Sequence, residues 1–95
     1  MPPLNDTDII ARAANKVAAE IGEETVILDI ESGKYFKLNP TGARIWSLLD
    51  TPISAAALCA RLETMFEIDA ATCRAEVDEF VEQIRSKGLA TIVAA

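Results

Sequence analysis

At Asn39-Pro40 the hydrophobic period of the chain changes from two to about 3.6, dividing the sequence into a sheet-forming part and a helix-forming part. Asn39 can cap a helix through its side-chain oxygen. Pro40, at the first helical position, has no N–H to leave unsatisfied. A short strand, Lys34 to Leu38, therefore feeds directly into a helix whose start is fixed by two residues. Strands on one side of such a junction and helices on the other define an α+β domain.

Upstream of the junction, Val17, Ala19 and Ile21 alternate with Ala18 and Glu20 in a weak strand ended by Gly22. Thr25 to Ile30 is richer in β-branched residues and makes a stronger strand. Glu31-Ser32-Gly33 reads as a three-residue hairpin loop with Gly33 in the left-handed position. That loop sets Ile30 opposite Lys34, Leu28 opposite Phe36 and Val26 opposite Leu38. One face then gathers Val26, Leu28, Ile30, Phe36 and Leu38 for the core. The other carries Asp29, Tyr35 and Lys37, with Ile27 as the exception. The first 14 residues, with Pro2-Pro3 and a polar stretch, read as an N-terminal arm holding at most a helical turn near Ile9-Ile10.

Downstream, three helices carry their own start signals. The first runs from Pro40 to about Leu49 with Ile45, Trp46 and Leu49 inward. Ser54 caps the second, which buries Leu58, Leu62, Met65 and Phe66. Asp69 caps the third, which buries Cys73, Val77, Phe80, Val81 and Ile84 on one face. Gly88 supplies a left-handed helix end, Leu89 folds back on Ile84, and Leu89 to Val93 can add an extended segment. The expected architecture is a winged helix-turn-helix-like domain over residues 15–95, a three-stranded antiparallel sheet followed by three helices.

Composition excludes several function classes. The chain has 95 residues, no histidine and a net charge of −6, which disfavours nucleic acid and anionic membrane surfaces. No Gly-rich phosphate loop or nucleophile elbow is present, so the chain is not expected to be an enzyme and no cofactor is implied. Cys59 and Cys73 match no metal-ligand spacing and fall on apolar helical faces, as buried reduced thiols would. Glu76, Asp78, Glu79 and Glu82 read as a solvated helix face. No secretory signal or membrane span is evident, and a cytoplasmic location is expected.

The run from Leu28 to Trp46, with Leu38-Asn39 at the strand end and Gly42 through Trp46 in the helix, resembles the PqqD family. Leu58, Leu62 and Phe66, then Val77, Phe80, Val81, Ile84 and Gly88-Leu89, continue the resemblance to about Val93. Glu76 stands where the family usually has Asp. The resemblance implies a non-catalytic adaptor that binds the leader segment of a ribosomally made precursor peptide. Such an adaptor presents the peptide to a separate modifying enzyme or leader peptidase. It further implies that the leader adds as an antiparallel strand beside Lys34, Tyr35, Phe36, Lys37 and Leu38. Leader side chains would enter a groove against Val77, Phe80, Val81, Ile84 and Arg85, with Val81 and Arg85 at the rim and Phe80 at the floor.

Within the family, the free-standing form, the Gly-x-x-Ile-Trp helix and the early cysteine of the third helix resemble the lasso-peptide type. Its leader would offer an aromatic residue and a proline. An adaptor for a radical-SAM enzyme, as in pyrroloquinoline quinone biosynthesis, is the rival reading. A DNA-binding winged helix is a third. Against it, residues 70–87 carry Arg74, Arg85 and Lys87 opposed by four acidic residues, whereas a groove-reading helix should be basic. The same free strand edge could also pair two copies of the chain into a homodimer.

Overall fold

The computed structural model describes residues 4–22 and 24–93. Pro2-Pro3, at the start of the expected arm, lie outside them. Six strands and three α-helices follow one another as β1 (Ile9–Arg12), β2 (Lys16–Ile21), β3 (Glu24–Asp29), β4 (Tyr35–Leu38), α1 (Pro40–Ser47), β5 (Ile53–Ser54), α2 (Ala55–Met65), α3 (Ala70–Ser86) and β6 (Ala90–Val93), with a 3-10 turn at Leu48–Asp50 after α1. The mixed α/β architecture, with its three-stranded antiparallel sheet and three helices, is the one expected.

The sheet expected from the sequence is β2-β3-β4, antiparallel throughout. Its hairpin register differs by one residue from the expected one. Thr25 faces Leu38, Val26 faces Lys37, Ile27 faces Phe36 and Leu28 faces Tyr35. The reason lies in Asp29. Its carboxylate accepts from the Glu31 N–H at 3.1 Å and the Ser32 hydroxyl at 2.9 Å, so the turn begins at residue 29. The Gly33 N–H then closes on the Asp29 carbonyl at 2.8 Å, and Gly33 has φ +73°. Ile30 leaves the hairpin and donates its N–H to the Asn15 carbonyl at 3.1 Å.

That slip reverses β3 while β4 keeps its facing. Ile27, expected to be the exception, is fully buried, and Leu28 and Ile30 are exposed at 40% and 57%. Phe36 and Leu38 point inward as expected and pack on the core.

Residues 9–12 form a strand and no helical turn. β1 lies between β5 and β6 in a second antiparallel sheet, and Ile10 is fully buried. Ahead of it, the Asp6 and Asp8 carbonyls accept from Ala56 and Ala55, each at 3.0 Å, satisfying N–H groups of the first turn of α2. Arg74 on α3 holds this segment through Asp6 at 2.6 Å and through the Leu4 carbonyl. The N-terminal segment is thereby committed to α2, α3 and the second sheet.

The helices begin where their caps predict. Asn39, Ser54 and Asp69 accept from the N–H groups of Gly42, Ala57 and Thr72 at 2.7, 3.2 and 2.8 Å. The last of these bonds leads the effects that hold the Asp69 carboxyl below its ordinary pKa. α3 ends in a Schellman motif, with Leu89 N–H on the Ile84 carbonyl at 2.8 Å and Gly88 N–H on that of Arg85 at 3.0 Å. Ile45, Trp46, Leu49, Leu58, Leu62 and the whole predicted stripe of α3 are buried. Met65 is not: it is 52% exposed at the end of α2.

Cys59 and Cys73 are free and buried, with the Cys73 thiol 3.7 Å from the Cys59 carbonyl. Burial is the main cause that raises both thiol pKa values, that of Cys73 to about 11.

Candidate peptide-binding site

β4 pairs with β3 on one side only, and among the described residues nothing pairs with its other edge. The Asp29 N–H to Lys34 carbonyl bond of 2.8 Å fixes the alternation of the ladder. In an antiparallel pair, residues two apart share the same hydrogen-bonding role. Phe36 and Leu38 therefore direct their N–H and C=O groups at β3. Tyr35 and Lys37 direct theirs away from it, four backbone groups on an open edge. Their side chains lie on the outer face of the sheet. Tyr35 is 66% exposed, and Lys37 reaches Glu24 at 3.6 Å.

The ring of Phe36 on β4 lies near the C-terminal end of α3. Lys87, capping the C-terminal end of α3, places Nζ 5.7 Å from the centroid of the Phe36 ring. At the other end, Phe80 packs against α1. Gly42 makes this approach possible: a Cβ there would lie 2.8 Å from Cε1 of Phe80 and 3.2 Å from the Asn39 Oδ1 that caps the helix. A cavity of about 190 Å³ opens over that contact. Asn39, Thr41 and Gly42 form its α1 side, and Glu76, Glu79, Phe80 and Gln83 its α3 side. A second cavity of about 150 Å³ shares Thr41 and Glu76 and extends past Arg44 and Phe66. There the Arg44 guanidinium lies over the Phe66 ring, 4.4 Å from its centroid.

The expected site residues separate into three groups. Lys34, Tyr35, Phe36, Lys37 and Leu38 lie together on or beside the open edge. Phe80 is 8% exposed and lines the cavity. Val77, Val81 and Ile84 are at most 2% exposed and present no surface to a ligand. Arg85 donates to Glu82 at 2.6 Å. This hydrogen bond leads the causes that raise the arginine's pKa and lower the carboxyl's. Nine residues beyond Glu76 at about 100° each, Arg85 sits on the side of α3 opposite Glu76, which lines the cavity.

The residues that line the cavity and that sequence reasoning missed are Asn39, Thr41, Gly42, Glu76, Glu79 and Gln83. On α3 their spacing gives a polar stripe directly beside the buried one. Nothing in that spacing separates a groove wall from an ordinary solvated face.

Among the described residues, no group of three or more His, Cys, Asp or Glu side chains gathers as a metal site would require. No described helix is long and apolar enough to cross a membrane.

An open strand edge beside a groove walled by a helix defines a peptide-binding class of site. Residues 24–90 match the family described as coenzyme PQQ synthesis protein D (PqqD), and the chain belongs to that family. Among solved structures, it is similar to TbiB1 in complex with the TbiA(beta) leader peptide, at 27% identity and a TM-score of 0.77. That match covers 90% of this chain and 99% of that one. It is also similar to lasso peptide synthetase B1 complexed with the leader peptide, at 26% identity and a TM-score of 0.72, over 86% and 96% of the two chains. No curated protein sequence matches the chain.

Proposed function

We propose that this protein is a non-catalytic, cytoplasmic adaptor for lasso-peptide biosynthesis that binds the leader of a precursor peptide and presents it to a leader peptidase. The observation that carries this reading is the open edge of β4 beside the α1–α3 cavity, on a chain similar over nine-tenths of its length to a leader-bound B1 protein. Leader backbone groups pair with Tyr35 and Lys37, antiparallel to β4, and alternate leader side chains enter the groove toward Phe80. Affinity comes from the backbone ladder and selectivity from the groove. The adaptor supplies no bond-making groups of its own, so the chemistry belongs to the partner.

The test is an NMR titration of the 15N-labelled protein with the leader of a candidate lasso-peptide precursor. Shifts are expected at Tyr35 to Leu38, at Gly42 and along Glu76, Glu79 and Gln83. Shifts confined to α2 or to the β5-β1-β6 sheet would refute the site. The family description favours one rival, a role in pyrroloquinoline quinone biosynthesis, for which the resemblance implies a radical-SAM partner. Co-purification with a leader peptidase, and not with a radical enzyme, separates the two.

A further inference from the structure

The charges of α3 divide by position. Arg74 pairs with Asp6 and Asp78, and Arg85 with Glu82, so each of these groups has a partner within the molecule. The charges left over are Glu76, Glu79 and Lys87, for which no ion pair forms among the described residues. At about 100° per residue, these three and Gln83 fall on one stripe, the side facing the groove.

Among the described residues Lys34 forms no ion pair either, and it stands just ahead of β4, two positions before Phe36, over which Lys87 lies. Two unpaired lysines thus stand at one end of the groove and two unpaired glutamates at the other. Lys37 does not enter this arrangement, because it is drawn to Glu24 on the outer face.

We infer that the groove selects leaders by charge polarity, taking a segment with basic residues at its N-terminal end and acidic residues at its C-terminal end. This rests on the strand-addition reading above. A strand antiparallel to β4 enters beside Leu38, where Glu76 and Glu79 line the cavity, and leaves beside Lys34 and Lys87. Lys87, at the C-cap of α3, lies eleven positions beyond Glu76, about 16 Å along the helix. An extended peptide covers that distance in about five residues. The two charge clusters lie further apart than the screening length of about 8 Å at physiological salt, so each end reads its own residue independently. Polarity also fixes direction, since a leader laid in parallel to β4 would set like charges against each other at both ends.

The experiment is selection of random 12-residue peptides by mRNA display against the intact protein, repeated with the double variant Glu76→Lys/Glu79→Lys. NMR then locates the selected binders on the labelled protein. Lys and Arg are expected to be enriched in the N-terminal third of peptides whose binding shifts Tyr35 and Lys37, and Asp and Glu in the C-terminal third. In the double variant the N-terminal preference should turn acidic while the C-terminal one stays. A peptide of matched polarity should lose about tenfold in affinity for that variant at low salt, and less at high salt. Binders that shift β4 without a charge gradient, or with one that the variant leaves unchanged, overturn the polarity inference and leave strand addition standing. Binders that never shift β4 overturn both.

Discussion

Replacing Lys37 by proline tests the open edge with little disturbance to the fold. The alternation fixed by the Asp29–Lys34 bond points the Lys37 N–H away from β3, so its removal leaves the β3–β4 ladder intact. Proline is tolerated on an edge strand at such a position. The side-chain loss is also mild, since the Lys37–Glu24 pair spans 3.6 Å between groups that are 67% and 59% exposed.

Binding should suffer more. One intermolecular hydrogen bond is worth about 1 kcal/mol, and the leader carbonyl left facing a proline methylene costs about 1 kcal/mol more. Together these weaken binding about 30-fold. Lys37→Ala keeps the N–H and should stay within about threefold of the parent, given the small worth of an exposed ion pair. Phe36→Pro should unfold the sheet, because its N–H belongs to the ladder opposite Ile27 and its ring packs on the core. Calorimetric titration with the leader, alongside thermal melts, gives all three results. A folded Lys37→Pro variant with parental affinity would show that the leader does not use this edge.

Gly42→Ala should destabilise the protein by about 1 kcal/mol in urea unfolding, because overpacking of about 2 kcal/mol outweighs about 1 kcal/mol of gained helix propensity. The added Cβ, 2.8 Å from Cε1 of Phe80, displaces that ring into the cavity and should weaken leader binding as well; a stabilised variant with unchanged affinity would contradict the packing argument. The buried thiols should resist a disulfide-exchange reagent in the native protein and react fully in denaturant. The folded state keeps Cys73 protonated to about 11 against an ordinary 9.0, so this contribution to stability is complete below pH 9 and is lost as pH rises toward 11. Cys73→Ala should flatten unfolding free energy over that window, and an unaltered slope there would assign it to other groups.

The helical half was legible because each helix starts with a side chain that bonds its own first turn. Asn39, Ser54 and Asp69 do this within three residues, so no distant contact was needed to place them. The second sheet was illegible for the opposite reason. β1 is four residues long, and its partners are β6, some eighty positions away, and the two-residue β5. Only the tertiary fold brings such pieces together. On α3, Glu76 and Glu79 have the spacing of a solvated face, and only the approach of α1 through Gly42 makes them a wall.

The hairpin shows why β4 kept its expected facing although β3 beside it did not. Glu31-Ser32-Gly33 has the composition of a three-residue loop, and the competing side-chain bonds of Asp29 lengthened it by one. That extra residue exchanged the faces of β3, burying Ile27 and exposing Leu28. β4 kept its facing because its orientation is set from the other end. Asn39 caps α1 through Gly42, which places Leu38 and Phe36 against the core regardless of how the hairpin closes. The backbone groups of Tyr35 and Lys37 are then turned outward by alternation alone. The direction of the binding edge therefore depends on the strand-to-helix junction and not on the loop. A change in the hairpin loop that leaves Asn39-Pro40 intact can re-pair β3 without turning the open edge of β4 away from the groove.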